Sequence, residues 1–124
     1  SPAVTKAAHA SPPDLIRRVC DRDSFTRLRR ESVRVRSDDM WCTFVADASV
    51  SPPQVAFAIG RAVGSAVTRN RLRRRLRVIL GALDVPNGLY LFGGRPSMSE
   101  LTFVELETRA AALLDAAQHS RVHS

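Results

Sequence analysis

The stretch that decides the fold runs from residue 56 to residue 77: Ala56-Phe57-Ala58-Ile59-Gly60-Arg61-Ala62-Val63-Gly64-Ser65-Ala66-Val67-Thr68-Arg69-Asn70-Arg71-Leu72-Arg73-Arg74-Arg75-Leu76-Arg77. Its first part alternates, with Phe57 and Ile59 on one side and Ala56, Ala58 and Gly60 on the other. That pattern predicts a strand over Gln54 to Ile59 with Phe57 buried. Gly60 and Gly64 then bracket a loop. Beyond it the period changes. On a wheel of about 100° per residue, Leu72, Leu76, Ile79, Leu80 and Leu83 gather on one arc, which predicts a long helix from Ala66 or Val67 to Leu83 with that arc on the core. The adjacent arc carries Arg73, Arg77, Asn70 and Arg74, and Arg71 and Arg75 continue around the far side. Arg69 falls nearer the apolar arc, in the first turn, where it can reach past the helix end.

Outward from this segment, Asp23 or Ser24 caps a short helix through Arg30, with Phe25 and Leu28 on its inner side. Val33 to Arg36 and Met40 to Ala46 read as strands about a turn at Ser37-Asp38-Asp39, and Ser49 to Pro53 as a loop. Pro86-Asn87-Gly88 is a turn before the strand Leu89 to Phe92, and Gly93 to Leu101 a second loop. Thr102 with Glu105 forms a capping box, opening a helix whose apolar stripe is Phe103, Leu106, Ala110, Leu113, Leu114 and Ala117. The predicted order is α-β-β-β-α-β-α, an α+β fold.

The chain is 124 residues long, enough for a single core, and 44% hydrophobic with 6% aromatic residues. Residues 1–13, rich in Ala, Ser and Pro, read as a disordered arm, 14–119 as the domain and 120–124 as a tail. No apolar run approaches the roughly 20 residues of a membrane span, and the first 13 residues hold one lysine and no apolar block. A cytoplasmic protein without membrane contact is expected. Cys20 and Cys42 lack C-x-x-C spacing and read as ordinary thiols.

Charge narrows the function. The formal charge is +7, from 19 basic and 12 acidic residues, and residues 61–77 hold seven arginines and no acid. Setting those seven aside leaves 12 basic against 12 acidic, so the excess is one concentrated field, the footprint of a polyanion partner. A second basic region spans Arg17 to Arg36. A merely solvated helix face would intersperse acids; here like charges at Arg69/Arg73, Arg71/Arg75 and Arg73/Arg77 oppose the isolated helix. Guanidinium forks suit phosphates and stack on bases, and Asn70 adds a neutral donor and acceptor. Arg73 and Arg74 are both expected off the core, so that replacing either by alanine leaves the fold intact.

Phe25, Trp41, Phe44 and Phe57 are the aromatic candidates for base stacking. Trp41 and Thr43 point opposite to Cys42 and Phe44, and alternation leaves open which pair is exposed. No catalytic constellation stands out. His9, His119 and His123 fall in tails, Asp38-Asp39 reads as a turn, and the remaining acids are scattered, whereas metal-assisted nuclease chemistry needs converging carboxylates. Charge alone leaves two classes open, an RNA-processing subunit and a noncatalytic RNA-binding protein such as a ribosomal or chaperone factor. DNA binding is disfavoured, because the basic helix has no helix-turn-helix partner.

The quoted stretch resembles the signature of the bacterial ribonuclease P protein family: a strand, a basic residue, G-x-A-V-x-R-N-R, then an aliphatic residue and a basic pair. Gly64, Ala66, Val67, Arg69, Asn70, Arg71, Leu72, Arg73, Arg74 and Arg77 match it. The similarity extends upstream to Asp23-Ser24-Phe25 and downstream to Arg95-Pro96 and Thr102-x-x-Glu105, covering about Leu15 to Leu114. The resemblance implies a fold like the second domain of ribosomal protein S5, with a left-handed β-α-β crossover in place of the usual right-handed one. It implies removal of the 5′ leader of precursor tRNA by a ribonucleoprotein whose RNA is the catalyst, with no catalytic residue and no metal ligand on the protein. By it, Arg61, Arg69, Asn70, Arg71, Arg73, Arg74 and Arg77 contact ribonuclease P RNA, and Phe25, Arg29 and Trp41 serve the single-stranded leader. Mg2+ would be bound chiefly by the RNA. The sequence departs from the family pattern at Ala62 for a frequent lysine, Ala56 for a glycine, Arg29 for an aromatic and Ser32 for a glycine.

Overall fold

The structure is a computed structural model and describes residues 16–19 and 21–123, with the side chains of 120–123 excluded. The N-terminal arm and Cys20 named above lie outside the described residues. The elements are β1 (Arg17–Arg18), α1 (Arg22–Arg30), β2 (Val33–Ser37), β3 (Met40–Ala46), β4 (Gln54–Ala58), a 3-10 turn (Arg61–Val63), α2 (Ala66–Ala82), β5 (Gly88–Gly94), a second 3-10 turn (Pro96–Glu100) and α3 (Phe103–His123). β1 is an addition to the predicted order. Two arginines carry no alternation to read, and the strand exists through tertiary pairing, with Arg17 N–H donating to Pro53 O at 2.8 Å and Val19 N–H to Val55 O at 3.2 Å.

The strands form one mixed sheet in the order β1-β4-β5-β3-β2. β1 and β5 flank β4 in parallel, while β3 lies antiparallel to β5 and β2 antiparallel to β3. At the β2–β3 turn Asp38 has φ +53°, a left-handed conformation that aspartate tolerates, which agrees with the predicted turn. Gly88 opens β5 with φ +146°, and a Cβ there would stand 2.3 Å from Val45 O. Only glycine lets the strand start so close to its neighbour.

Period-2 alternation divides the sheet between two cores. Met40, Cys42, Phe44, Val55, Tyr90 and Phe92 face α2 and α3, against Leu72, Leu76, Ile79, Leu80, Leu106, Ala110, Leu113 and Leu114. Phe44 stacks on Tyr90 and Tyr90 on Phe92, each at 6.2 Å between centroids, and the Tyr90 hydroxyl donates to Pro86 O at 2.8 Å. Cys42 is fully buried in this layer as a free thiol, and burial pushes it far above its ordinary titration range. The opposite core is small, formed by Val45 and Leu89 of the sheet with Leu28 of α1 and Val19.

The predicted core arc of the arginine-rich helix is observed: Leu72, Leu76, Ile79 and Leu80 are buried, and Leu83, its C-cap, is packed at the edge. Burying those four side chains stabilises the structure by roughly 2 kcal/mol each, while each like-charged i,i+4 pair costs about 0.2–0.5 kcal/mol, so the core arc decides that the segment is helical. α3 begins with the expected reciprocal box, Glu105 N–H donating to Thr102 Oγ1 at 3.1 Å and Thr102 N–H to Glu105 Oε1 at 2.9 Å. Phe103 departs from its predicted stripe: at the first residue of α3 it is exposed, one turn before Leu106 meets the sheet. His119 and His123 both lie within α3, which continues through residues 120–123, rather than in a tail, and His119 is exposed. α1 is capped by Asp21, two residues before the expected position, because its carboxylate accepts from Ser24 N–H at 3.0 Å.

Candidate nucleic-acid interface

The basic helix is held at both ends of its first turns. Ser65 caps α2, its hydroxyl accepting from Thr68 N–H at 3.2 Å. Arg69 reaches back past the helix start, as expected for its place in the first turn, and its Nε donates to Gly64 O at 3.3 Å. Arg73 donates to Asn70 Oδ1 at 3.1 Å and to Ile59 O at 3.2 Å, so it ties the helix to the exit of β4. Both Arg73 and Arg74 lie off the core arc as expected, but Arg73 is half-buried and tied to Ile59, so its loss bears on the fold, while Arg74 is exposed. Asn70, Arg71, Arg74 and Arg77 form the exposed remainder, and Arg61 is exposed on the 3-10 turn ahead of the helix. Among the described residues, no carboxylate forms an ion pair with any arginine of residues 61–77. The positive field of this surface is uncompensated, which is the condition for attracting phosphates.

The second candidate surface is the sheet face that α1 covers only in part. Val45 meets α1, and Trp41 lies four residues away along β3, about 13 Å, beyond the small core. The question left open by alternation is answered: Cys42 and Phe44 are inside the large core, and Trp41 with Thr43 faces the α1 side. Arg34 of β2 stands over the Trp41 ring at 4.5 Å, a cation–π contact. Gly93 of β5 lies beneath the ring, since a Cβ there would come within 2.4 Å of it. Thr43, 7% exposed and on the same face, has a hydroxyl with no hydrogen-bond partner among the described residues.

α1 is fastened beside this face. Arg27 donates to Asp47 Oδ2 at 2.9 Å, and Asp47 Oδ1 accepts from Ser49 N–H and from its hydroxyl. Ser49, then Arg27, hold the Asp47 carboxyl down at about 2. Ser32, where the family favours glycine, donates through its hydroxyl to Leu28 O and closes the end of the helix. The leader candidates divide between elements: Phe25, 40% exposed, and Arg29 lie a turn apart on α1, and Trp41 lies on β3. Among the described residues no ring contact, ion pair or hydrogen bond joins the two sets. Arg34 belongs to the second basic region, Arg17 to Arg36, but its place over Trp41 depends on the pairing of β2 with β3.

Phe57 corrects the reading in the other direction. It shares the inner sheet face with Val55, as alternation predicted, and its ring lies 6.5 Å from that of Phe92. It is nevertheless only half-buried, because β4 lies next to the two-residue strand β1 and α2 passes over it with Arg77, 5.9 Å from the ring, instead of an aliphatic residue. Among the described residues no three His, Cys, Asp or Glu side chains converge to hold a metal, and no helix is long and apolar enough to cross a membrane.

Comparison with known proteins bears on this arrangement. The ribonuclease P family profile matches residues 16–118. The ribonuclease P protein component of Beutenbergia cavernae is 42% identical over 59 residues, 45% of this chain and 50% of that one. The Thermobifida fusca component is 33% identical over 78 residues, 60% of this chain and 52% of the other. The matched stretch thus spans about half the length of these relatives. Among solved structures, the RNase P protein of Staphylococcus aureus superposes with a TM-score of 0.71 at 15% identity, covering 81% of this chain and 94% of that one. The RNase P protein of Thermotoga maritima gives 0.69 at 21% identity, covering 78% and 94%. These two likenesses concern the fold, and the profile match concerns the family. A single α+β domain with a mixed five-stranded sheet and an uncompensated arginine helix, matched along residues 16–118, belongs to the ribonuclease P protein family.

Proposed function

We propose that this chain is the protein subunit of a ribonuclease P, binding the catalytic RNA through α2 and the 5′ leader of precursor tRNA on the open sheet face. The observation that carries it is the division of α2 into a face locked in the core by Leu72, Leu76, Ile79 and Leu80 and an outer face of Asn70, Arg71, Arg74 and Arg77 with no acid opposite. Such a face lies along a phosphate backbone without rearrangement of the fold. Arg61 and Arg69 extend it at the helix start, and Arg73 adds charge from its tethered position. On the sheet, the Arg34 guanidinium laid over the Trp41 ring offers a flat cationic surface for a base, and Phe25 with Arg29 on α1 lies on the same side of the sheet, which suits an unpaired strand.

In this reading hydrolysis belongs to the RNA, the protein contributes binding and orientation, and the complex works in the cytoplasm. Magnesium is held chiefly by RNA phosphates. The same family reading carries an S5 domain 2-like arrangement in which the β4-α2-β5 crossover is left-handed.

The test is cleavage of a 5′-extended precursor tRNA at low magnesium with a bacterial ribonuclease P RNA, with and without the protein. Mature 5′ ends that require both components support the subunit role. Binding of that RNA without restored cleavage favours a noncatalytic RNA-binding protein.

A further inference from the structure

The half-buried ring of Phe57 lies in a groove that the proposed contacts above leave unused. Two adjoining hollows of about 200 and 280 Å³ meet there, between β1 and β4 on one side and α2 on the other. The floor is apolar, from Val55 and the Phe57 ring, and Val78 of α2, 57% exposed, forms part of the wall. The charged residues that line it are all basic, Arg17, Arg18, Arg73 and Arg77, with no acid, and Ile16, Val19 and Ala56 complete the lining. Trp41 lines neither hollow; the floor residues Phe57 and Val55 lie on the inner face of the sheet, and the second hollow reaches round the edge to Val19 and Ala56 of the small core.

Each component has a partner in one chemical class. An aromatic ring with a guanidinium near its face receives a nucleobase by stacking, and arginines around it receive the attached phosphate. An apolar peptide side chain would use the floor but not four arginines, and a paired helix could not bring a base edge-on into a hollow of this size. The basic rim is also continuous with the outer face of α2, since Arg77 belongs to both. We propose that this groove holds a single unstacked nucleotide of an RNA strand running along α2, the base on Phe57 and the phosphate between Arg77 and the β1 arginines. The proposal rests on the reading of α2 as an RNA-binding helix and adds a second, base-stacking element to it.

The experiment titrates the isotopically labelled full chain with a single-stranded RNA pentamer of adenosine and follows the side-chain resonances. The expected result is saturable shifts at Val55, Phe57 and Val78, with affinity lowered about tenfold in Phe57→Leu, which keeps apolar volume but loses the ring. Val78→Glu, at an exposed position that leaves packing untouched, is expected to weaken binding by a similar factor by placing an anion at the rim. Shifts confined to Trp41 and Leu91 or to the outer arginines of α2, or equal affinity in both variants, overturn the groove. Binding of a bacterial ribonuclease P RNA is measured on the same samples. If it persists while the groove is silent, the nucleotide site fails and the subunit role stands; if both are absent, both fail.

Discussion

Helix α2 and the open sheet face both present arginine side chains to solvent, the sheet face with Trp41 beside them, but they are held in place differently. On α2 every candidate contact comes from one continuous segment, and its orientation is set by the buried leucines on the reverse side. The open face is assembled from α1, β2, β3 and β5, and its shape depends on contacts between distant parts of the chain, such as Arg27 to Asp47 and Trp41 over Gly93. The helix thus tolerates loss of an outer side chain without moving the others, whereas the open face changes shape when a single support is removed.

The largest expected effect tests the helix. Reversing two outer charges together, Arg71→Glu with Arg74→Glu, is expected to weaken binding to a bacterial ribonuclease P RNA by at least about a hundredfold while circular dichroism stays unchanged. With about six arginines on phosphates, log affinity falls against log salt with a slope of magnitude around 4 to 5, and the double variant should lose about 1.5 of it. An unchanged slope would mean that these arginines do not meet phosphate. Arg73→Ala sharpens the distinction: it should weaken RNA binding and also lower stability by about 1 kcal/mol, because the Ile59 carbonyl loses its donor.

The next effect tests the sheet face. Trp41→Ala is expected to reduce affinity of the assembled complex for precursor tRNA by about tenfold, with little change for mature tRNA lacking a leader. Gly93→Ala should act in the same direction, since its methyl group occupies the space of the Trp41 ring. Equal loss for mature tRNA would assign Trp41 to the fold instead of the leader.

That contrast also explains what could be read in the sequence. The α2 arc and the Thr102–Glu105 box depend on neighbours within one or two helical turns, so spacing revealed them. β1 could not be seen, because two arginines become a strand only when β4 supplies the partner. Phe57 lies on the predicted face but is only half-buried, because alternation reports which side of a sheet a residue faces and not whether that side is fully covered at its edge. The Asp21 cap was missed in favour of Asp23 and Ser24, all three being competent cap residues, and the choice fell to Asp21 through its bonds to Ser24. The tether of Arg73 to Ile59 spans fourteen residues, beyond any local pattern.

A smaller effect returns to the helix start. Ser65→Ala removes the acceptor for Thr68 N–H and should lower stability to chemical denaturation by about 1 kcal/mol, with RNA affinity nearly unchanged because the buried leucines still set the orientation of the helix and its arginines. A large loss of RNA binding would show that the cap itself positions Arg61 and Arg69 for the contact.

The smallest effect concerns the strap that fastens α1 beside the open face. Asp47→Asn keeps an oxygen for Ser49 but removes the charge facing Arg27. The Asp47 carboxyl is held at about 2 in the fold against 3.8 ordinarily, so its ionised form stabilises the native state above about pH 4 and that contribution disappears as pH falls through 2. The variant should therefore melt at a lower temperature than the natural chain at neutral pH, and the gap should narrow from about pH 4 downward and close below pH 2. A gap of constant size from pH 7 to below pH 2 would assign the effect to the shape of the side chain. If precursor binding at neutral pH weakens along with the melting temperature while RNA binding through α2 does not, the open face owes its form to this ion pair and the helix face does not.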